Sequence, residues 1–282
     1  MATVEIDGIQ TRYDVIGSGP PLLMYSPGGF NARIESWGAL GVYKRIKLLN
    51  HLPERYTCIV FDRRETGLSG GRVERVTWDD YVRQGRGLLQ HLGYERAHLM
   101  GGCMGCSPLL RFAVMYPEMI QSLVLYFPVG GPRYRLSSHQ RFATHMAYVA
   151  EHGLEAVVDL CNSHDKHFGQ DPRCGPWAAP IRSDAAFAET YRDMDRDRYL
   201  SLVAGMARTL FDRDTAPGAE PEDLLQCDLP ALIIPGADAS HGTSAARYCN
   251  EVLAQSEYWD VLPDDQLESN APARILEFLD QH

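Results

Sequence analysis

The chain has 282 residues, 45% apolar and 23% charged, with a formal net charge of −10 at pH 7. A chain of this length can bury a sizeable core, and none of its apolar runs approaches the roughly 18 consecutive residues of a membrane span. The acidic balance argues against nucleic acid or an anionic membrane as a general partner. The N-terminal Met1-Ala2-Thr3-Val4-Glu5-Ile6-Asp7 carries neither a basic nor an apolar targeting region, so a cytoplasmic location is the expectation. Scattered cysteines at 58, 103, 106, 161, 174, 227 and 249 fit reduced thiols better than a disulfide framework. A monomer and a homodimer both remain open.

Short β-branched or aromatic runs bounded by Gly, Pro or Asp alternate with helical patterns, the signature of a mainly parallel sheet with crossover helices. Strands are predicted over 3–7 and 11–17, close enough to form an antiparallel hairpin, and then over 21–26, 56–62, 96–101, 121–127, 231–236 and 256–262. Helices are predicted over 38–51, 78–92, 105–116, 242–254 and 271–280. Between the sixth and seventh strands lies a long segment rich in helix formers, Tyr, His and Arg, with a return linker marked by Pro217, Gly218 and Pro221. The organisation expected is an eight-stranded α/β core over 1–127 and 230–282, with an inserted helical cap over 128–229.

Gly101-Gly102-Cys103-Met104-Gly105 falls where the fifth strand turns sharply into a helix. The flanking glycines suit a crowded turn, and a side chain at its apex stands clear of the sheet. A thiol at a helix N-terminus is pushed toward thiolate by the unpaired N–H groups and the dipole. The pattern marks Cys103 as a nucleophile.

With this turn after the fifth strand, the chain resembles the α/β-hydrolase superfamily. The branch it is most similar to carries a cap and includes carbon–carbon-bond hydrolases, epoxide hydrolases, haloalkane dehalogenases and proline-iminopeptidase-like enzymes. Ser26-Pro27-Gly28-Gly29-Phe30 followed by Trp37, the run Asp62-Arg63-Arg64-Glu65-Thr66-Gly67-Leu68-Ser69, and Ala113-Val114-Met115-Tyr116-Pro117-Glu118 closing the helix after Cys103 carry the resemblance. It implies a cysteine in place of the usual serine, and an oxyanion hole made by the backbone N–H groups of Met104 and Phe30. Gly29, Arg63, Tyr126 and Trp37 would contact substrate.

Two family landmarks are displaced. The acid usually follows the seventh strand in a Gly-x-x-Asp spacing, whereas Gly236-Ala237-Asp238-Ala239 brings Asp238 one residue early. The base usually precedes the final helix, yet Pro263-Asp264-Asp265-Gln266-Leu267-Glu268 holds no histidine and His282 is remote. His241, on the loop leaving the seventh strand, is the expected replacement, with Asp238 orienting it. A carboxylate from Asp264, Asp265 or Glu268 is the alternative proton carrier. Cysteine tolerates the loss of a strong base better than serine, because its thiol ionises near neutral pH.

Cys103 and Cys106 form a C-x-x-C spacing, but the surrounding glycines favour a hydrolase turn over a redox pair. Cys161, His164, His167 and Cys174 offer zinc-type ligands, but Gly169 and Pro172 interrupt any fixed spacing, and no metal is expected. His139, His145, Arg133, Arg135 and Arg141 open the cap and could face Cys103 or form an ordinary polar face. No cofactor motif is present, and Gly101-Gly102-Cys103-Met104-Gly105 lacks the Gly-Lys-Ser/Thr ending of a phosphate loop. The reading is a hydrolase of a small acyl compound, such as an ester, lactone, thioester, amide or carbon–carbon-cleavable ketone, acting through Cys103. The alternatives are a lyase or decarboxylase using the same pocket, and a ligand-binding protein that has lost turnover.

Overall fold

The computed structural model describes Met1–His282. Eight strands, β1 (Ala2–Ile6), β2 (Ile9–Ile16), β3 (Pro21–Tyr25), β4 (Thr57–Phe61), β5 (Ala97–Gly102), β6 (Ile120–Tyr126), β7 (Ala231–Ile234) and β8 (Ser256–Tyr258), form one sheet in the order β1-β2-β4-β3-β5-β6-β7-β8. β1 and β2 form the antiparallel hairpin, β2 runs antiparallel to β4, and every later pairing is parallel. The central strands are buried on both faces, so they read as apolar runs rather than as an alternation.

The period of two still sorts side chains between the faces. Leu23, Tyr25, Leu99, Leu123, Leu125 and Ile233 join one apolar cluster, covered by the helices Trp78–His91, Cys106–Met115 and Thr243–Val252. Leu22, Met24, Met100, Val124, Tyr126 and Ile234 join the other, covered by the region after β3 and by the helix Ala271–Leu279. The helix predicted over 38–51 is instead three short ones, Ser36–Ala39, Gly41–Ile46 and Leu48–His51. It breaks at extended Leu40 and again at Lys47, whose φ of 46° is left-handed.

Between β6 and β7 the chain forms the helices Pro132–Ser163, Ala178–Ser183, Ala185–Arg192 and Arg196–Leu210. The first is interrupted at Gly153. Phe142, Trp177, Tyr191 and Tyr199 from this segment belong to the same apolar cluster as Leu23 and Leu99, so its packing is continuous with one face of the sheet. No helix is long and apolar enough to cross a membrane.

Candidate functional site

β5 ends at Gly102, and the chain makes a 3-10 turn over Cys103–Gly105 before the helix Cys106–Met115. Cys103 has φ 55°, a left-handed conformation that costs an L-residue about 1–2 kcal/mol and persists only where its surroundings enforce it. The enforcement comes from close backbone approach. A Cβ on Gly101 would lie 2.4 Å from the Gly105 carbonyl oxygen, and one on Gly105 would lie 2.4 Å from that of Tyr25. Both positions require glycine. The turn delivers Cys103 to a cavity, whereas Cys106 is buried with its Sγ 3.1 Å from the Gly101 carbonyl oxygen, a structural thiol rather than a redox partner.

On the loop after β7, Asp238 accepts the backbone N–H groups of Ser240 at 2.8 Å and His241 at 2.9 Å. The same carboxylate lies 2.9 Å from His241 Nδ1, which therefore donates to it. The ring packs on Phe127 at 5.7 Å between centroids. The Asp238 side chain is 61% exposed and that of His241 only 16%, so the carboxylate sits at the rim and the imidazole reaches inward. Its Nε2 is buried without a settled hydrogen bond, and the charge it couples to is the Cys103 thiol.

These groups alter one another's ionisation. Burial opposes a thiolate at Cys103, but the charge of His241 and the N–H groups of Gly28 and Met104 outweigh it and bring the thiol below its ordinary value. Burial likewise opposes an imidazolium, but the Cys103 thiolate and Asp238 carboxylate raise His241 to about 10. Asp238 is held well below the usual carboxylate range, chiefly by its hydrogen bond from His241. Each group therefore stabilises the charged form of the other, and the shifts belong to the pair.

The cavity in front of Cys103 measures about 180 Å³. Gly28, Gly29, Phe30, Met104 and Ser240 line its sheet side, beside Cys103 and His241. Tyr134, Ser138, Arg141 and Phe142, all from one face of the helix Pro132–Ser163, form the opposite wall with His167, Phe168 and Phe211. The Phe30 ring meets Phe142 at 5.7 Å and Phe168 at 5.4 Å, joining the two sides.

Several residues expected at this site lie elsewhere. Trp37 is fully buried edge-on to Tyr43, because its position faces the smaller apolar cluster. Tyr126 points to the same face and donates its hydroxyl to Gln266 Oε1 at 2.7 Å. Arg63 is buried with its guanidinium 4.7 Å from the centre of the Tyr81 ring and bonded to the Gly29 carbonyl, so it braces the loop rather than the substrate. Among the alternative carboxylates, Asp264 and Asp265 are exposed and Glu268 pairs with Lys47 at 2.7 Å and His51 at 3.0 Å. Gln266 fills the stretch marked for the family base and donates to the Pro235 and Val261 carbonyls at 3.1 and 2.9 Å.

In the inserted segment, His139 bonds the Phe211 carbonyl, and His145 is buried in a network of its own. Of the zinc-type residues, His164 and Cys174 come together with Asp171, their ligand atoms within 4.8 Å, while His167 turns to the cavity. Asp171 is already engaged by the Arg173 guanidinium at 2.9 and 2.6 Å. Sequence reasoning missed the Gly28 amide, which no side chain announces. It also missed Tyr134, Ser138, Phe142, Phe168 and Phe211. For Tyr134, Ser138 and Phe142, the spacing of four residues was the available signal.

An alpha/beta hydrolase fold family model matches residues 21–146, and the sheet and its flanking helices give the chain the fold of the α/β hydrolases. Among curated proteins it is similar to a 2-(acetamidomethylene)succinate hydrolase of Mesorhizobium japonicum, with 24% identity covering 88% of this chain and 89% of the relative. Among solved structures it is similar to MGS-M2, an α/β-hydrolase enzyme from a Medee basin deep-sea metagenome library, with a TM-score of 0.65, 20% identity, and 100% and 98% of the two chains covered. It is also similar to the enol-lactonase of Burkholderia xenovorans LB400, with a TM-score of 0.61, 18% identity, and 99% and 100% coverage.

Proposed function

We propose that the protein is a hydrolase of a small acyl compound, working through a covalent intermediate on Cys103 beneath a cap formed by residues 128–229. The remaining residues, 1–127 and 230–282, are its core domain. The observation that carries this reading is the alignment of Asp238, His241 and Cys103, with Gly28 and Met104 amides directed at the sulfur. The relatives named above include a succinate-derivative hydrolase and an enol-lactonase, which supports a small-molecule substrate. The cavity of about 180 Å³ is smaller than the roughly 300–1,000 Å³ pockets that hold drug-sized ligands, which suits a small substrate.

In the first half-reaction the Cys103 thiolate attacks the carbonyl carbon, and the carbonyl electron pair moves to oxygen. Met104 and the Gly28–Phe30 loop supply backbone N–H groups to that oxyanion, the Phe30 N–H among them. Collapse expels the leaving group, which takes the proton from His241 Nε2 and leaves an acyl thioester. The now neutral His241 takes a proton from water, whose oxygen attacks the thioester carbon. The acid departs and the thiolate–imidazolium pair returns. Asp238 holds the ring so that Nε2 faces the sulfur throughout. The reading of a protein that has lost turnover rested on a displaced acid and an absent base, and Asp238 bonded to His241 at the rim of the Cys103 cavity weakens both grounds.

Intact-mass spectrometry during turnover of 4-nitrophenyl acetate tests the proposal. The native protein should gain and lose one acetyl group, Cys103→Ala should gain none, and His241→Gln should retain it about 10²–10⁴-fold longer. An acyl group retained by Cys103→Ala, or clearance unaffected by His241→Gln, overturns the assignment.

A further inference from the structure

The cavity wall facing Cys103 has an unusual charge for this chain. The protein as a whole carries −10, yet no Asp or Glu lines the cavity. Arg141 does, and its guanidinium has no ion pair or hydrogen bond within the chain, in contrast to the arginines at 12, 64, 173 and 213, each bound to a carboxylate. One turn earlier on the same helix, the Ser138 residue is only 2% exposed and its Oγ is buried without a settled hydrogen bond. A buried hydroxyl left unpaired is costly, and such groups ordinarily have a partner. The Tyr134 hydroxyl lies beside Ser138, so three groups with hydrogen atoms to donate meet on one helix face.

We propose that Arg141 and Ser138 form a carboxylate-binding subsite opposite Cys103, and that the substrate is a short acyl compound bearing a free carboxylate at the end away from the scissile carbonyl. The proposal rests on the hydrolase reading above for the reaction, though not for the binding. A guanidinium presents a planar fork that fits a carboxylate's two oxygens, and the Ser138 hydroxyl completes the donor set. The cavity of about 180 Å³ limits the spacer between the two carbonyl groups to a few atoms. Phe142, Phe168 and Phe211 provide apolar walls around that spacer. His167 also lines the cavity, as a ring whose protonated form is disfavoured. Burial and the charges of Arg33, Arg182 and Arg141 lower its affinity for a proton, and a bound carboxylate would reverse that trend.

Two measurements separate the subsite from the chemistry. The first compares kcat/KM for mono-(4-nitrophenyl) succinate and for 4-nitrophenyl butyrate, which differ mainly in the free carboxylate. The native protein should prefer the succinate ester by about 10–100-fold, the range expected for hydrogen bonds to a charged partner. Arg141→Gln should collapse that ratio, Arg141→Lys should restore part of it, and Ser138→Ala should reduce it several-fold. The second measures protection of Cys103 from iodoacetamide by succinate and by its uncharged analogue succinamide, which needs no turnover. Succinate should protect the native protein at least tenfold better than succinamide, and Arg141→Gln should remove the difference. Equal use of the two esters, or a ratio untouched by Arg141→Gln, overturns the subsite even if hydrolysis stands. Selective protection by succinate with neither ester hydrolysed supports the subsite and overturns the hydrolase reading. Equal protection by both compounds in the native protein overturns the subsite outright.

Discussion

His145 lies behind the cavity wall and makes stability depend on pH in a calculable way. It is fully buried on the helix Pro132–Ser163, with Nδ1 2.9 Å from the Arg173 carbonyl oxygen and Nε2 2.7 Å from the Tyr199 hydroxyl. The carbonyl can only accept, so Nδ1 carries the proton and Nε2 accepts from Tyr199, which in turn accepts from Tyr191 at 2.6 Å. A second proton on the ring would leave two donors facing each other in a dry site. Burial lowers its pKa from 6.5 to about 4. At about 1.36 kcal/mol per pKa unit, a shift of about 2.5 units corresponds to roughly 3 kcal/mol. Because the folded-state value is depressed, this group costs nothing above pH 6.5. Stability falls as pH drops toward 4, where the unfolded chain binds a proton that the folded one refuses. Urea unfolding of the native protein and His145→Gln between pH 7.5 and 4.5 measures the effect. Below pH 6 the native protein should lose about 1.4 kcal/mol per pH unit more than the variant. Parallel pH profiles for the two proteins would refute the reasoning. His145 also packs against Phe168 at 6.2 Å, so the same protonation should loosen the cavity wall.

The elbow makes a second prediction. Gly105→Ala should cost about 1–3 kcal/mol and lower the melting temperature by several degrees, since its Cβ has only 2.4 Å to the Tyr25 carbonyl oxygen, whereas Gly38→Ala, with nothing within 4 Å, should leave it unchanged or slightly raised. Asp238→Asn should remove the negative charge that helps hold the imidazolium, slowing iodoacetamide alkylation of Cys103 at pH 7 by about tenfold, checked by peptide mass mapping at timed intervals. Brief labelling of the folded native protein should modify Cys103 alone, because the other six thiols are buried.

The strands, the elbow and the Asp238–His241 spacing were legible because each follows from local rules. Period-two burial marks strands, crowding demands Gly101 and Gly105, and a carboxylate three residues before a histidine can cap the loop and reach the ring at once. The substrate contacts failed for a reason of facing. Tyr126 follows Leu125 by one residue, so it turns to the opposite side of the sheet from the main cluster, and its position at the end of the sixth strand could not by itself say which face held the site. The broken helix after β3 depends on Lys47 adopting a left-handed conformation that propensity does not suggest. The Tyr134, Ser138, Arg141 and Phe142 stripe has helical spacing, but how that helix docks over Cys103 is decided by tertiary packing around Phe30, Phe142 and Phe168. The Gly28 amide depends on backbone direction alone.

The central claim is that Cys103 and His241 form an ion pair at neutral pH, and the pH dependence of Cys103 alkylation measures it directly. For the native protein the rate of reaction with iodoacetamide should inflect below the pH of an ordinary thiol, about 8.5. In His241→Gln the inflection should move up, because burial then acts on the thiolate without its charged partner. An inflection at or above the ordinary thiol value in the native protein, or one that stays in place when His241 is replaced, would contradict the account.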